Sequence, residues 1–224
     1  MTGVQTCALP ISKGKIKTRE EILAIVERAA QNGKLKVIAL TSGIATSPDD
    51  EIDRVADIVR SLAPYQVPIG VAVHPAKGSS RKLKEAGVTE VKYSVETMDP
   101  EIFDRICKGR KGHNLEFILE SLREAVGVFG RNRVSTNIII GLGETDECVR
   151  KGVEYLAKMG VIAVLRPISI SPLRKEALAH AVRPSPERLL KLTTMTREIL
   201  RKYGLSTSES QTMCLACTGC DLTP

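Results

Sequence analysis

An α/β fold built on a parallel sheet is what this sequence predicts, and three observations carry the expectation. Short apolar runs alternate with longer amphipathic runs along almost the whole chain. Aromatic residues make up 3% and Trp is absent, so the core has to be aliphatic, which suits buried parallel strands of Val, Ile and Leu. Polar clusters follow the apolar runs ("TSG", "HPAKG", "GLGET"), and the carboxyl ends of parallel strands are where α/β folds carry their sites.

The elements follow in order. "TREEILAIVERAAQNG" is a helix, with Thr18 as N-cap, Glu in the first turn and an Asn-Gly stop. "KLKVIALTSG" is a buried strand ending in a Gly turn, and "PDDEIDRVADIVRSLA" the next helix. "VPIGVAVH" is a strand, "SSRKLKEAGV" a short helix with a Gly stop, and "EVKYSVET" a strand. "DPEIFDRI" opens a helix with Asp99 as cap and Pro100 at its first position, and "NLEFILESLREAVGVFG" is a long helix. "RVSTNIIIGLGET" is the clearest strand, β-branched and apolar. "DECVRKGVEYLAKMG" is a helix, "VIAVLRPISI" a strand and "SPERLLKLTTMTREILRKYG" the last helix. Five strands alternating with helices imply right-handed βαβ units. An open doubly wound sheet and a barrel both satisfy that alternation. No G-x-G-x-x-G follows the first strand, which weakens a dinucleotide-binding reading.

Bulk properties narrow the function classes. The 224 residues are 42% hydrophobic and 26% charged, an ordinary profile for one domain with a proper core. The net charge of +7 is spread among acidic residues except at "KGRKGH" (108–113), and aromatic stacking platforms are missing, so no nucleic-acid partner is expected. No apolar run is long enough to span a bilayer, so no membrane partner is expected, and a cytoplasmic location is. "MTGVQTCALPI" has neither helical period nor strand alternation, and it back-translates to the end of a common sequencing-library adapter. Residues 1–12 are therefore read as an artefactual leader outside the fold. Native coding sequence is then expected upstream of Lys13. Residues 13–205 form the α/β body and 206–224 a Cys-rich tail.

Two stretches carry candidate site residues. In "NIIIGLGET" (137–145) a strand runs into Gly141 and Gly143, which let backbone approach a ligand, and Glu144 stands at the mouth. In "YSVETMDPEIFDRI" (93–106) Ser94 and Glu96 lie two apart on a strand and face one side, where they can bind a ribose or an amine. Asp99 already offers the helix cap, which leaves Glu96 less structural reason to exist.

Together these stretches resemble the radical S-adenosylmethionine superfamily, in its biotin synthase-like and lipoyl synthase-like branch. "GLGET" is similar to that branch's adenosine-contacting strand motif, and "SVETMDPEIF" to the segment whose acidic residue contacts ribose or methionine. "ALTSG" (39–43) sits where the family places a turn that holds the methionine amine, with TSG in place of Gly-Gly-Glu. "RPSPERLLKL" (183–192) also resembles this branch. The resemblance spans residues 18–205 and implies an incomplete (β/α)6 TIM-like partial barrel, its five parallel strands being the family's second to sixth. It implies S-adenosylmethionine as cofactor, held by Ser42, Gly43, Ser94, Glu96, Gly141, Gly143 and Glu144, with Arg166 meeting a substrate carboxylate. It also implies a [4Fe–4S] cluster, yet the family's Cys-x3-Cys-x2-Cys occurs nowhere in the chain, so this chain is expected to be an inactive fragment. His113 stands near where relatives carry a ligand-holding Arg.

Of the six Cys, Cys7 falls in the leader, and Cys107 and Cys148 are isolated and read as packed or semi-exposed thiols. "CLACTGC" places Cys214, Cys217 and Cys220 within reach of one metal centre. An auxiliary iron–sulfur cluster is the leading reading, with zinc or redox-active thiols as alternatives. Following a helix packed on the barrel, the tail is expected to fold over the open rim. The resemblance implies generation of a 5′-deoxyadenosyl radical, for sulfur insertion of lipoyl or biotin type on a small-molecule or lipoyl-type substrate. Ferredoxin or flavodoxin would donate the electron. A hydrogenase-cofactor maturase or a carbon-skeleton mutase is the alternative within the branch, and a non-catalytic iron–sulfur carrier or scaffold the alternative outside it.

Overall fold

The computed structural model describes residues 16–107, 113–169, 178–212 and 215. Among them the chain runs α1 (Arg19–Gln31), β1 (Ile38–Thr41), α2 (Pro48–Leu62), β2 (Ile69–Ala72), α3 (Ser79–Ala86), β3 (Glu90–Lys92), α4 (Pro100–Ile106), α5 (Leu115–Phe129), β4 (Val134–Ile140), α6 (Asp146–Met159), β5 (Ile162–Pro167) and α7 (Pro186–Lys202). Each predicted helix and strand is present in its predicted order.

Local chemistry sets the helix starts. Thr18 accepts from Glu21 N while the Glu21 carboxylate takes the Thr18 N–H, closing a capping box at α1. Ser47, Asp99, Asn114, Thr145 and Ser185 each accept a backbone N–H three residues on, satisfying donors the helix leaves free. Gly87 and Gly160 end α3 and α6 in the left-handed region.

The sheet decides between the two architectures. Its order is β1-β2-β3-β4-β5, all parallel, with no reversal. Each connection therefore crosses in the same sense and lays its helix on one face, as in a barrel wall; a doubly wound sheet would reverse its order. Tyr93 marks that outer face, because its hydroxyl meets Ser79 Oγ and Ser80 Oγ of α3 at 2.9 and 3.2 Å. Lys92, one residue earlier, points to the concave face. Register carries the same face through Ser135, Asn137 and Ile139 of β4 to Ile162, Val164 and Arg166 of β5. The aliphatic core lies outside, between sheet and helices, and includes Val71, Val91, Ile118, Leu122, Ile138 and Leu165.

Two strand expectations need correction. β1 is not buried: Ala39 and Thr41 are exposed, because among the described residues β1 pairs only with β2 and its other edge is open. The third strand stops at Lys92, well short of "YSVET". Lys92 pairs with Ser135 but Glu96 with Ile138, so residues 93–95 oppose only 136 and 137, a bulge. Ser94 and Glu96 therefore do not lie on a regular strand, and the alternation that put them on one side does not apply.

Candidate functional site

The carboxyl ends of the strands bring the predicted residues to one rim. Ser42 follows β1, Glu96 follows β3, Glu144 follows β4, and Arg166 is the penultimate residue of β5. Ser42 N donates to Ala72 O, which fixes the TSG turn against β2. Its hydroxyl contacts Glu51 Oε1 and accepts from Arg54 Nη2 at 2.7 Å, both residues lying in the first turns of α2. Glu51 is only 6% exposed. Gly43 is exposed, and a Cβ added there would meet nothing within 4 Å.

Beyond β3 the backbone is held by β4 on both sides of the bulge. Val95 N donates to Thr136 Oγ1 (2.9 Å), Glu96 N to Asn137 O (3.0 Å), and Ile139 N to Glu96 O (2.7 Å). Glu96 is buried and adopts φ 65, a left-handed conformation rare outside Gly, and such strained residues cluster at functional sites. Ser94 Oγ accepts from Asn137 Nδ2 at 3.4 Å. Asn137 Oδ1 is buried, and among the described residues no donor reaches it. A buried amide oxygen calls for a donor, and on this face a ligand hydroxyl or ammonium can supply one.

The GLGET turn is gripped from three sides. Glu144 does not stand open at the mouth. Its carboxylate turns back to accept from Gly141 N (2.8 Å) and Leu142 N (2.7 Å). Arg188 of α7 donates to Glu144 Oε1 (3.1 Å), to Glu144 O (2.9 Å) and to Asp146 Oδ1 (2.8 Å). Arg105 of α4 donates to Leu142 O at 2.8 Å. Gly141, at φ 109, is crowded by this chain itself: a Cβ there would lie 2.3 Å from Val182 O and 2.8 Å from Ile168 Cγ2. Its glycine serves the close passage of residues 182–184. Gly143, at φ 111, is exposed on the turn.

Hydrogen bonds to Arg188 and Lys191 hold the Asp146 carboxyl below its ordinary value. Burial, followed by the charges of Asp99 and Glu144, pushes the Cys148 thiol up, so it is a poor nucleophile at neutral pH. Cys107 is buried. Both match the expected packed or semi-exposed thiols. His113 stacks on Phe117 (centroids 4.4 Å) and on His74 (4.8 Å), with His74 Nε2 and His113 Nδ1 2.6 Å apart. Sequence reasoning missed Glu51, His74, Arg105, Asn137 and Arg188. Only Glu51–Arg54, at i,i+3 spacing on a helix, left a local signal.

Cys214, Cys217 and Cys220 lie outside the described residues. The described part of the tail does not fold over the rim: Gln211 N and Thr212 N donate to Glu90, the first residue of β3, at the opposite end of the sheet. Asn137 Oδ1, Ser94 and the bulged Glu96 segment fit S-adenosylmethionine, whose ribose hydroxyls and ammonium are donors. The donor set does not fit a [4Fe–4S] cluster, since among the described residues no three His, Cys, Asp or Glu side chains converge. No described helix is long and apolar enough to cross a membrane.

Comparison with known proteins places this geometry in context. The family model described as "Radical SAM superfamily" matches residues 7–156. A probable GTP 3′,8-cyclase of Thermococcus kodakarensis is 28% identical over 190 residues, covering 81% of this chain and 58% of that protein. A biotin synthase of Hydrogenobaculum sp. is 31% identical over 181 residues, covering 77% and 52%. The chain thus spans a little over half the length of these relatives. Among solved structures, HydG, a maturase of the [FeFe]-hydrogenase, aligns with TM-score 0.66 at 18% identity, over 91% of this chain and 49% of that one, a likeness of fold.

Proposed function

The chain belongs to the radical S-adenosylmethionine superfamily, and on that premise we propose that its concave, carboxyl-terminal face holds S-adenosylmethionine for a hydrogen-abstracting enzyme. The observation that carries the reading is the buried Asn137 Oδ1, lacking a donor beside Ser94 on the concave face. The chemistry supplied there, when the cofactor is bound, is one-electron cleavage to methionine and a 5′-deoxyadenosyl radical that takes a substrate hydrogen atom.

The chain's own residues bind and orient. Asn137 and Ser94 receive ribose hydroxyls or the ammonium, and Glu96 offers a carboxylate near them. Gly143 and the Leu142 backbone line the adenosine side, kept in place by Gly141, Glu144, Arg105 and Arg188. Ser42 and Gly43 face the methionine end, with Glu51 lending negative charge behind Ser42. Arg166 shares the concave face and meets a substrate carboxylate. The [4Fe–4S] ligands are not among these residues, so the chain by itself is expected to bind the cofactor without cleaving it. Sulfur insertion of biotin or lipoyl type is the leading reaction, supported by "ALTSG" together with three tail thiolates read as an auxiliary cluster. A ferredoxin or flavodoxin would supply electrons in the cytoplasm.

Calorimetry with S-adenosylmethionine tests the binding site. Saturable binding that weakens at least tenfold in Asn137→Ala, with an unchanged melting temperature, is expected; no binding to the folded chain overturns the reading. A protein that contains Cys-x3-Cys-x2-Cys upstream should release 5′-deoxyadenosine and methionine under reduction. A product heavier by one sulfur would identify insertion. Ring closure of a purine nucleotide would assign it to a cyclase reaction instead. Iron retained without cofactor binding would make the chain a carrier or scaffold.

A further inference from the structure

One helix carries both halves of the rim site. The GLGET half leads into α6: Thr145 caps that helix by accepting from Cys148 N at 3.1 Å, and Glu144, one residue earlier, holds Gly141 N and Leu142 N. The Glu96 half is a short turn. Thr97 N donates to Val95 O (2.8 Å), Asp99 N to Thr97 Oγ1 (3.2 Å), and Ile102 N to Asp99 Oδ1 (3.0 Å), which starts α4. From this turn Met98 reaches across to α6 and lies against Gly152.

That contact leaves no room for a side chain. Gly152 is buried in the middle of α6. A Cβ on it would lie 2.5 Å from Met98 Cγ and 2.7 Å from Met98 Cβ. The second distance decides the outcome, because Cγ can swing to another rotamer whereas Cβ moves only with the backbone. Ala is the better helix former, so α6 itself does not ask for Gly here. The space serves Met98, two residues after Glu96. Glu96 holds φ 65, a conformation that persists only where its surroundings impose it. Pairing with Asn137 O and Ile139 N of β4 grips it on one side, and Met98 on Gly152 braces the turn on the other. The contacts close a ring. They run from Glu96 through Met98 to α6, and through Thr145 to the GLGET turn. They return from Leu142 O through Arg105 of α4 to Asp99.

We propose that Gly152 is a positioning residue for the cofactor: by admitting Met98 against α6 it fixes where the Glu96 carboxylate stands relative to the GLGET turn. The inference rests on the concave face being the S-adenosylmethionine site. Gly152 touches no ligand atom. A Cβ there pushes the backbone of the turn, and a displaced carboxylate loses affinity without loss of the fold.

The test compares Gly152→Ala with Val153→Ala in the full chain. Val153, the next residue of α6, is fully buried, so its truncation loosens the core but brings no atom to Met98. Calorimetry should show S-adenosylmethionine bound about tenfold more weakly by Gly152→Ala, at a melting temperature no lower than that of Val153→Ala. Val153→Ala should bind within about twofold of the parent although it melts lower. In a Glu96→Gln background the loss from Gly152→Ala should shrink to about twofold, because the charge it displaces is gone. Should Gly152→Ala fail to fold, Met98→Ala takes its place: it removes the brace, and affinity should fall severalfold only while the Glu96 carboxylate is present. Affinity that follows melting temperature across the variants overturns the positioning role. So does an undiminished loss in the Glu96→Gln background. No binding by the folded parent overturns the site reading itself, and this inference with it.

Discussion

Gly141 and Gly43 carry opposite expectations although both are glycines near the rim. At Gly141 a methyl group would meet backbone and side chain of this chain at 2.3 and 2.8 Å in a left-handed conformation, so Gly141→Ala should cost about 2–5 kcal/mol. Denaturant unfolding measures it. At Gly43 nothing lies within 4 Å, so Gly43→Ala should leave the melting temperature unchanged. Any loss of S-adenosylmethionine affinity there would then report a ligand contact, and none would remove Gly43 from the site. Arg188 is the residue whose role the sequence hid. Arg188→Gln leaves the buried Glu144 carboxylate with only its two backbone donors and should cost about 1–3 kcal/mol. The Asp146 link adds a pH dependence. Its carboxyl is held below the unfolded value near 3.8, so it stabilises at neutral pH and loses that contribution as pH falls through the lowered value. The melting temperatures of the parent and Asp146→Asn should therefore differ at pH 7 and converge as pH falls below the ordinary carboxylate range.

At the scale of elements, the helix–sheet contact at α3 has a second signature. Burial pushes the Tyr93 hydroxyl up to about 12, against a partial lowering by Ser79 and Ser80. The neutral phenol is favoured in the folded state, so its contribution is complete below pH 10 and is lost as pH rises towards 12. In ultraviolet titration of the four tyrosines, Tyr93 should ionise last, and only as the protein unfolds. A Tyr93 that titrates near pH 10 in the folded chain would contradict its burial. The elements themselves were legible because each is set by neighbours a few residues away: Thr18 with Glu21, and Asp99 with Ile102. The end of β3 was not. "EVKYSVET" reads as an unbroken strand, whereas its pairing ends at Lys92, because the bulge depends on how β4 offers Thr136 and Asn137 across the interface.

Across the whole molecule, the open edge is the exposed liability. β1 pairs only with β2 among the described residues, and Val37 and Ile44, flanking it, are 43% and 46% exposed. An unpaired parallel edge beside apolar side chains favours association, so light scattering should rise with concentration and fall in Val37→Lys. Unchanged scattering would place the association elsewhere. By itself the sequence determined the α/β class, the order of helices and strands, and the two stretches that reach the rim, because caps, periods and glycine turns act over three or four residues. The alternation of elements left a barrel wall and a doubly wound sheet both open, the motif resemblance pointed to the partial barrel, and the strand order bore that out. Periodicity could not decide it, since strand order is a relation between segments tens of residues apart. Only the tertiary structure turned Glu144 inward onto Arg188, 44 residues away, and tied Thr212 to Glu90, 122 residues away. A buried carboxylate takes whichever donors folding brings to it, and no local pattern records which those are.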